Sequence, residues 1–299
     1  MTSNPTTNLN DQLLAHLVEF QRELEKDKIP LILGGGMSLY VRMQYLRAEV
    51  SARYPFAIET RSTNDLDLFL ASSLIADAEK VEKLREIITR LSYTVDSNAK
   101  NFQFVKEVEI YGSRHQVRIE LLAAPPTEAQ MSKVDVKGFR IKPVGVDNIH
   151  AYLTASAGGI DIGLLQVNVP AGGSSEATIT IPSAFNYLIL KLHAFDDRKS
   201  KKDAKSDEGR HHAYDIFATV TRMNEDDWSN ATTHLKSQSG SDYLQRAIQI
   251  QKDCFSFRNA IGLLRIQENE AYRRNHATYD LYLDQFIKDM TDLFQGGGA

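Results

Sequence analysis

Residues 59–70 read ETRSTNDLDLFL and place two aspartates, Asp65 and Asp67, in a stretch that otherwise has the composition of a buried strand. Side chains on a strand alternate between its two faces, so Leu66 and Leu68 point one way while the aspartates share the other face. The apolar face can enter a core, whereas the acidic face needs water, a cation or another partner to offset its charge. The stretch therefore predicts either a metal site or a solvated sheet face.

Length and composition limit the classes of protein to which the chain can belong. Its 299 residues, 42% of them hydrophobic, can bury a sizeable core, and we expect about two domains. The formal net charge of −4 makes any nucleic-acid contact depend on a local basic patch. A single cysteine, Cys254, excludes an intrachain disulfide and a cysteine-based zinc cage. With no signal peptide and no membrane-length apolar run, we expect a cytoplasmic protein without membrane contact.

The segments around the acidic strand predict helices and strands in alternation. An apolar stripe favours a helix over residues 11–27, with Asn10 as its N-cap. A short strand at residues 30–33 then runs into three glycines, which introduce a helix at residues 37–50. After the acidic strand, residues 76–92 predict another amphipathic helix.

The glycine turn has the features of an anion site. A strand, a glycine turn and a helix in this order place backbone amides at a helix N-terminus, where the helix dipole favours negative charge. Gly35 and Gly36 belong to the turn, and Ser38 near the helix start can offer its hydroxyl to a triphosphate. The spacing matches neither a P-loop nor a dinucleotide-binding loop. A triple glycine by itself is more often only a turn.

Two alternating runs, at residues 102–110 and 115–123, predict a β-hairpin that carries a third acidic residue. Glu120 lies on the second run, opposite its apolar face. Magnesium prefers oxygen ligands, bridges nucleotide phosphates and activates an attacking hydroxyl. If Glu120 joins Asp65 and Asp67, the trio favours phosphoryl or nucleotidyl transfer, which depends mainly on positioning and charge neutralisation.

The character of the chain changes in its second half. Residues 134–141 and 164–170 are weaker strand candidates, and the periodicity beyond residue 175 favours helices. The predicted fold class is α/β (α+β): a small mixed sheet flanked by helices and followed by a helical C-terminal domain. We expect an α/β domain at residues 1–175 and a helical domain at 176–299, with the candidate site in the cleft between them.

Several charged residues of the helical part are further candidates. Lys191 and Arg198 are seven residues apart and return to nearly the same helix face. Lys191 either snorkels from its apolar surroundings or points into a cleft, and a buried pair with Asp215 would be structural or would order a triphosphate site. His211 and His212 diverge by about 100° on a helix, so we expect packing or a phosphate contact rather than a shared metal.

A charged run at residues 198–210 has no apolar periodicity and predicts a mobile loop. Its first part, Arg198 to Lys205, carries five basic residues against one acidic. This local patch could contact a phosphate backbone, or it could be an ordinary solvated face.

In this order the motifs resemble the nucleotidyltransferase superfamily, specifically its AbiEii-type and MenT-like toxin branch. The resemblance spans roughly residues 31–220. It rests on the segments GGGMS, RSTNDLDLF, RIELL, KLHAFDDR and HHAYDI. Two departures stand out: Met37 follows the glycines where relatives often have a hydroxyl residue, and the segment SARYPFAIE (51–59) lengthens the connection to the aspartates.

The resemblance implies a role for each matching residue. Asp65, Asp67 and Glu120 would hold one or two Mg²⁺ ions, and Thr63 would support the end of the acidic strand. The implied catalytic residues are Asp65, Asp67, Glu120, Lys191 and Asp215. The implied nucleotide-binding residues are Gly35, Gly36, Ser38, Arg61, Thr63, Lys191 and Arg198.

The resemblance also implies a reaction and a setting. A nucleoside monophosphate would pass from a nucleoside triphosphate to an acceptor hydroxyl, with release of pyrophosphate. The family suggests a toxin of a toxin–antitoxin system that acts on tRNA and binds a cognate antitoxin. One alternative keeps the chemistry but uses a small-molecule or protein hydroxyl as acceptor. Another is a non-catalytic nucleotide-binding or partner-binding protein.

Overall fold

The chain divides into two compact units in a computed structural model. The residues that the structure describes are 9–46, 53–61, 63, 65–99, 101–110, 112–172, 174–201 and 207–295. Unit 1 comprises Met1–Tyr45, Ser62–Ala155 and Leu164–Ile181. Unit 2 comprises Leu46–Arg61, Ser156–Gly163 and Pro182–Ala299.

Unit 1 contains the described strands and three of the described α-helices. Its strands are β1 (Leu31–Leu33), β2 (Asp65–Leu70), β3 (Thr94–Val95), β4 (Gln103–Ile110), β5 (Ser113–Ala123), β6 (Val134–Lys137), β7 (Arg140–Pro143), β8 (Ala151–Leu153), β9 (Leu165–Pro170) and β10 (Glu176–Ile181). Its helices are α1 (Leu9–Lys26), α2 (Gly35–Tyr45) and α3 (Ala78–Arg90).

From Ala184 onward, the regular secondary structure described in unit 2 is helical. Its helices are α4 (Ala184–Arg198), α5 (Arg210–Val220), α6 (Glu225–Ser237), α7 (Asp242–Cys254), α8 (Ile261–Glu268), α9 (Glu270–Arg274), α10 (His276–Tyr279) and α11 (Leu283–Gln295). Within the described ranges, every helix of the chain is too short or too polar to span a membrane.

Unit 1 is built on a mixed sheet, which confirms the predicted fold class together with the helical C-terminal region. The strand order is β1-β2-β5-β8-β7-β6, and β4 pairs with both β5 and β3. β2 and β8 run parallel to β5, whereas β1 is antiparallel to β2. β9 and β10 form a separate antiparallel hairpin.

The alternation of side chains along β5 sets the two faces of the sheet. Val117, Ile119 and Leu121 are buried, while Arg118 and Glu120 are partly exposed on the other face. Burial of each large aliphatic side chain stabilises the fold by about 1.5–3 kcal/mol relative to exposure. The apolar face therefore fixes which way the polar side chains of the central strands point.

Most predicted elements of unit 1 are present, and three expectations need correction. Residues 134–141 form a hairpin of β6 and β7 rather than one strand, because Gly138 turns the chain with a φ of 63°. β10 lies where helix was expected; its alternating Ala177, Ile179 and Ile181 face the core. Asn10 is buried within α1 and does not precede the helix as an N-cap.

The segment 53–61 of unit 2 has no helix or strand and is held against helices by polar contacts. The Tyr54 hydroxyl donates to Oδ2 of Asp289 at 2.8 Å, and the Tyr214 hydroxyl donates to the Glu59 carbonyl at 2.7 Å. From the sequence, this segment only lengthens the connection between the glycine turn and the aspartates. Residues 47–52, where the helix predicted at residues 37–50 was expected to end, lie outside the described residues.

Candidate functional site

The register of the sheet brings the three predicted metal ligands onto one face. In the parallel pairing of β2 with β5, Asp67 is the partner of Glu120 and Asp65 is the partner of Arg118. Paired residues on neighbouring strands present their side chains on the same side of the sheet. The acidic face of ETRSTNDLDLFL therefore meets the acidic position of HQVRIELLA directly.

The electrostatics of this face disfavour a further negative charge. Burial, followed by repulsion from the Asp67 carboxylate, raises the pKa of Glu120 from 4.5 to about 7. Asp65 adds to the rise, whereas a hydrogen bond from Gln103 and the charge of Arg118 oppose it. A cation placed among these carboxylates would remove the repulsion, so the site favours a positively charged ligand.

Arg118 is a member of this site that the sequence analysis did not identify as functional. Its Nη1 lies 3.5 Å from Oδ1 of Asp65, and its Nε lies 4.0 Å from Oδ2 of Asp96. Its position two residues before Glu120, on the same strand face, is the sequence feature that could have indicated its place in the site. Among the described residues, no three acidic, histidine or cysteine side chains converge as a ready-made metal cage. The carboxylates of Asp65, Asp67 and Glu120 thus occupy neighbouring strand positions but do not surround a common point.

The glycine turn packs directly against the acidic strand. The Gly34 N–H donates to the Asp67 carbonyl at 2.7 Å. Gly35 has a φ of 60°, and a Cβ at this position would overlap the Asp67 carboxylate. Glycine is thus needed at position 35 both for backbone conformation and for space. α2 begins at Gly35, so Gly36 and Ser38 lie in its first turn rather than beyond a longer loop.

Two further polar residues fix the start of the acidic strand. The Asp65 N–H donates to Oγ1 of Thr63 at 3.4 Å, which places Thr63 beside the start of the strand. The Thr63 N–H in turn donates to Oδ1 of the buried Asn10 at 3.1 Å.

Ser38 is buried, and its N–H donates to the Gly34 carbonyl at 3.1 Å. That amide is therefore already engaged within the first turn of α2.

A Gly35→Ala substitution tests the contact between turn and carboxylate. We expect the added methyl group to displace the Asp67 side chain and to lower strongly any activity that depends on this carboxylate, because the backbone conformation and the space are both unfavourable. The matched control is Gly112→Ala, where φ is 73° but no atom lies within 4 Å of the new Cβ. Equal losses of thermal stability and activity in both variants would show that only backbone strain matters.

Unit 2 holds a buried charged cluster that contains three of the predicted site residues. Asp215 has no exposed side-chain surface, and its Oδ2 lies 2.7 Å from Nζ of Lys191. Arg61 donates from Nε to Oδ1 at 3.0 Å and from Nη2 to Oδ2 at 3.1 Å. Although burial opposes ionisation, these two cations hold the pKa of Asp215 well below its usual value. We call Arg61, Lys191 and Asp215 the buried charge cluster.

The helices of unit 2 and the segment 53–61 assemble this cluster. Lys191 is on α4 and Asp215 on α5, while Arg61 ends the segment 53–61. The ammonium of Lys191 also lies 5.0 Å from the ring centroid of Tyr187. The structure contains the Lys191–Asp215 pair considered from the sequence, but the bidentate Arg61 contact was not anticipated. Arg61 and Asp215 are 154 residues apart, and no local pattern links them.

The two adjacent histidines have different surroundings. Nδ1 of His212 is buried without a hydrogen-bond partner in the described chain. Burial, and then the charge of Lys191, lowers the pKa of His212 to about 3, with a smaller effect from Arg198. His211 is exposed, and its backbone N–H donates to Asp207. Arg198 is exposed at the end of α4, and residues 202–206 of the basic loop lie outside the described residues.

The neutral state of His212 predicts a pH-dependent stability. Because its folded pKa lies below the unfolded value of about 6.5, the unfolded chain takes up a proton first as pH falls. Stability is therefore lost from pH 6.5 down towards 3, by about 1–2 kcal/mol between pH 7 and pH 5. We expect His212→Gln to reduce this slope in chemical denaturation, with His276→Gln as the matched substitution at an exposed histidine. An unchanged slope in His212→Gln would contradict a buried neutral imidazole.

Comparison with known proteins gives one family match and two distant structural likenesses. A family model described as Nucleotidyltransferase matches residues 41–235. None of the curated proteins compared with the chain matches it. An antigenic nucleotidyltransferase-like protein from Paracoccidioides brasiliensis has 11% identity and a TM-score of 0.41, covering 80% of this chain and 93% of its own. A protein from H. pylori described as a candidate nucleotidyltransferase has 11% identity and a TM-score of 0.35. The match covers 98% of this chain and 94% of the H. pylori chain. At these scores neither structure bears on the function.

Proposed function

The chain belongs to this nucleotidyltransferase family, whose model matches residues 41–235, and we propose that it transfers a nucleoside monophosphate from a nucleoside triphosphate to an acceptor hydroxyl. The observation that carries the proposal is the register of β2 with β5, which pairs Asp67 with Glu120 and sets Asp65 on the same face. Three carboxylates at neighbouring positions suit nucleotidyl transfer, which requires positioning and charge neutralisation more than covalent help from the protein.

The acidic residues fit a magnesium ion in their chemistry. Mg²⁺ prefers oxygen ligands, and the raised pKa of Glu120 reflects, after burial, a carboxylate repulsion that a divalent cation would relieve. We propose that Asp65, Asp67 and Glu120 hold it. When bound, the ion would neutralise phosphate charge and favour ionisation of the acceptor hydroxyl. Arg118 would keep the Asp65 carboxylate oriented while the ion is absent.

The buried charge cluster would serve the nucleotide. We assign Lys191 and Arg61 to contacts with nucleotide phosphates, and Asp215 to the positioning of both cations. A lysine held at 2.7 Å from a fully buried carboxylate has little conformational freedom to lose on binding. Gly35, Gly36 and Ser38 would lie near the phosphates, and Arg198 would add an exposed positive charge.

The setting of the reaction extends the proposal. The sequence resemblance to the AbiEii-type and MenT-like branch supports a toxin of a toxin–antitoxin system, with tRNA as acceptor and a cognate antitoxin as partner. The competing acceptor is a small-molecule or protein hydroxyl. An assay that offers each acceptor separately distinguishes the two.

The decisive experiment incubates the purified protein with each labelled nucleoside triphosphate, Mg²⁺ and total tRNA. Label in the RNA supports the whole proposal, and label in protein or a small molecule supports the chemistry with a different acceptor. Asp65→Ala should abolish either signal. If no acceptor receives label with any triphosphate, or if Asp65→Ala labels as well as the wild type, the proposal is wrong.

A further inference from the structure

The polar face that carries Glu120 continues across unit 1 to the edge of the sheet. Leu122 of β5, two residues beyond Glu120, pairs with Tyr152 of β8. Tyr152 also pairs with Arg140 of β7, whose other partner is Lys137 of β6. Paired residues share a face, so one row of side chains runs from the acidic trio to the edge strand. Strand spacings put the Cα atoms of Tyr152 and Glu120 about 8 Å apart.

Tyr152 belongs to an exposed aromatic cluster. Its ring centroid lies 5.2 Å from that of Phe139 and 5.6 Å from that of Phe102. Phe139 is 47% exposed and Tyr152 is 37% exposed, whereas Phe102, the third member, is buried. Large aromatic side chains gathered at the surface mark binding sites more often than chance exposure does. We call Phe102, Phe139 and Tyr152 the aromatic cluster.

The cations of the same row are available to a ligand. Neither Arg140 nor Lys137 has an ion-pair partner among the residues that the structure describes. Lys142, two residues beyond Arg140 on β7, is different, because its Nζ lies 2.6 Å from Oδ1 of Asp147. The positive charge beside the aromatic cluster is therefore not neutralised within this part of the protein, and it favours an anionic partner.

We propose that this surface binds the unpaired end of a nucleic-acid acceptor. Bases stack on Phe139 and Tyr152, and backbone phosphates contact Arg140 and Lys137. Base faces are free for such stacking only in a single strand, and aromatic side chains beside cations are the usual means of binding one without sequence preference. The inference rests on the proposed function, because the row ends beside the carboxylates assigned to the reaction.

The charges distinguish a nucleic acid from a protein partner. The cores of protein interfaces are depleted of charged residues, and of lysine in particular. Here Arg140 is the direct strand partner of Tyr152, and Lys137 is the next residue in the row. An apolar protein surface would leave both cations without a counter-charge, whereas a phosphate backbone would supply one.

The test measures fluorescence anisotropy of a 5′-labelled single-stranded oligoribonucleotide with the full chain, without nucleoside triphosphate. We expect Phe139→Ala and Tyr152→Ala each to weaken binding by roughly 5- to 150-fold. Lys137→Ala should reduce the slope of log affinity against log salt by about one. The matched controls are Phe257→Ala and Lys236→Ala, which remove a comparably exposed phenylalanine and an exposed lysine from unit 2.

The outcomes separate this inference from the proposed function. The inference is overturned if Phe139→Ala binds the oligonucleotide as tightly as the wild type, or if the wild type does not bind it at all. It is also overturned if Phe139→Ala retains RNA binding and instead loses self-association or binding to another protein. If Phe139→Ala transfers label to the acceptor as fast as the wild type does, the inference is also wrong, but the proposed function stands. RNA binding that depends on Phe139 without any nucleotide transfer would refute the proposed function alone. Unchanged thermal melting of Phe139→Ala establishes that the variant folds.

Discussion

Nucleotidyl transfer by Asp67→Asn should fall at least about a thousandfold, because the variant loses a central carboxylate of the pair formed by β2 and β5. The amide keeps the shape of the side chain but offers a single neutral oxygen to a divalent cation. Initial rates with saturating triphosphate and Mg²⁺ measure the effect. The matched control is Glu109→Gln, which removes an exposed carboxylate from β4 of the same sheet and should leave the rate unchanged.

The same variant should cost little folding stability in metal-free buffer. Asp67 is the largest source of repulsion on Glu120, so its removal lets the pKa of Glu120 fall and eases ionisation of that residue. Melting temperatures without metal, compared between the variant and the wild type, measure this. A drop of many degrees would show that Asp67 serves the fold rather than a metal, and it would contradict the assignment.

The largest loss of stability is expected for Asp215→Asn. The substitution leaves Lys191, whose side chain is 6% exposed, and Arg61 without the carboxylate that both contact. Uncompensated buried charge of this kind typically costs about 3–5 kcal/mol, because desolvation of the cations is no longer offset. Urea denaturation of the full chain, monitored by circular dichroism, measures the change.

The control for this experiment is a second aspartate with a bidentate arginine partner. Asp284 accepts two hydrogen bonds of 2.7 Å from Arg258, but its side chain is 72% exposed. Asp284→Asn should leave the stability nearly unchanged, since water replaces the lost contact. Adding Lys191→Met to Asp215→Asn should recover part of the loss by removing one uncompensated cation. No recovery would mean that packing around Asp215, rather than charge, is responsible.

The local pattern of the sequence was sufficient to predict which side chains lie on each face of the central strands. Alternation with period two separates Asp65 and Asp67 from Leu66 and Leu68, and burial in the structure agrees with this division. The same alternation was present in residues 176–181 but was outweighed by the helical character of the residues after them. Local patterns therefore predict least well where a strand is followed closely by a helix.

Contacts between distant segments could not be derived in this way. Arg61 lies in an irregular segment whose composition does not distinguish a nucleotide contact from the ion pair with Asp215 that it forms. Arg118 was visible on the face of Glu120, yet its contact with Asp65 depends on the pairing of β2 with β5. These partners meet only because the chain folds back over long separations, and that depends on the packing of whole elements.

The sequence by itself determined which side of each strand the candidate residues occupy, since side-chain alternation is a local property of an extended backbone. The tertiary structure decided how these residues combine. Parallel register sets Asp67 against Glu120, and the left-handed conformation of Gly35 brings the glycine turn onto the Asp67 carboxylate. Register depends on which strands pair and how their apolar faces are buried together, so a one-residue shift would have moved Glu120 to the opposite face.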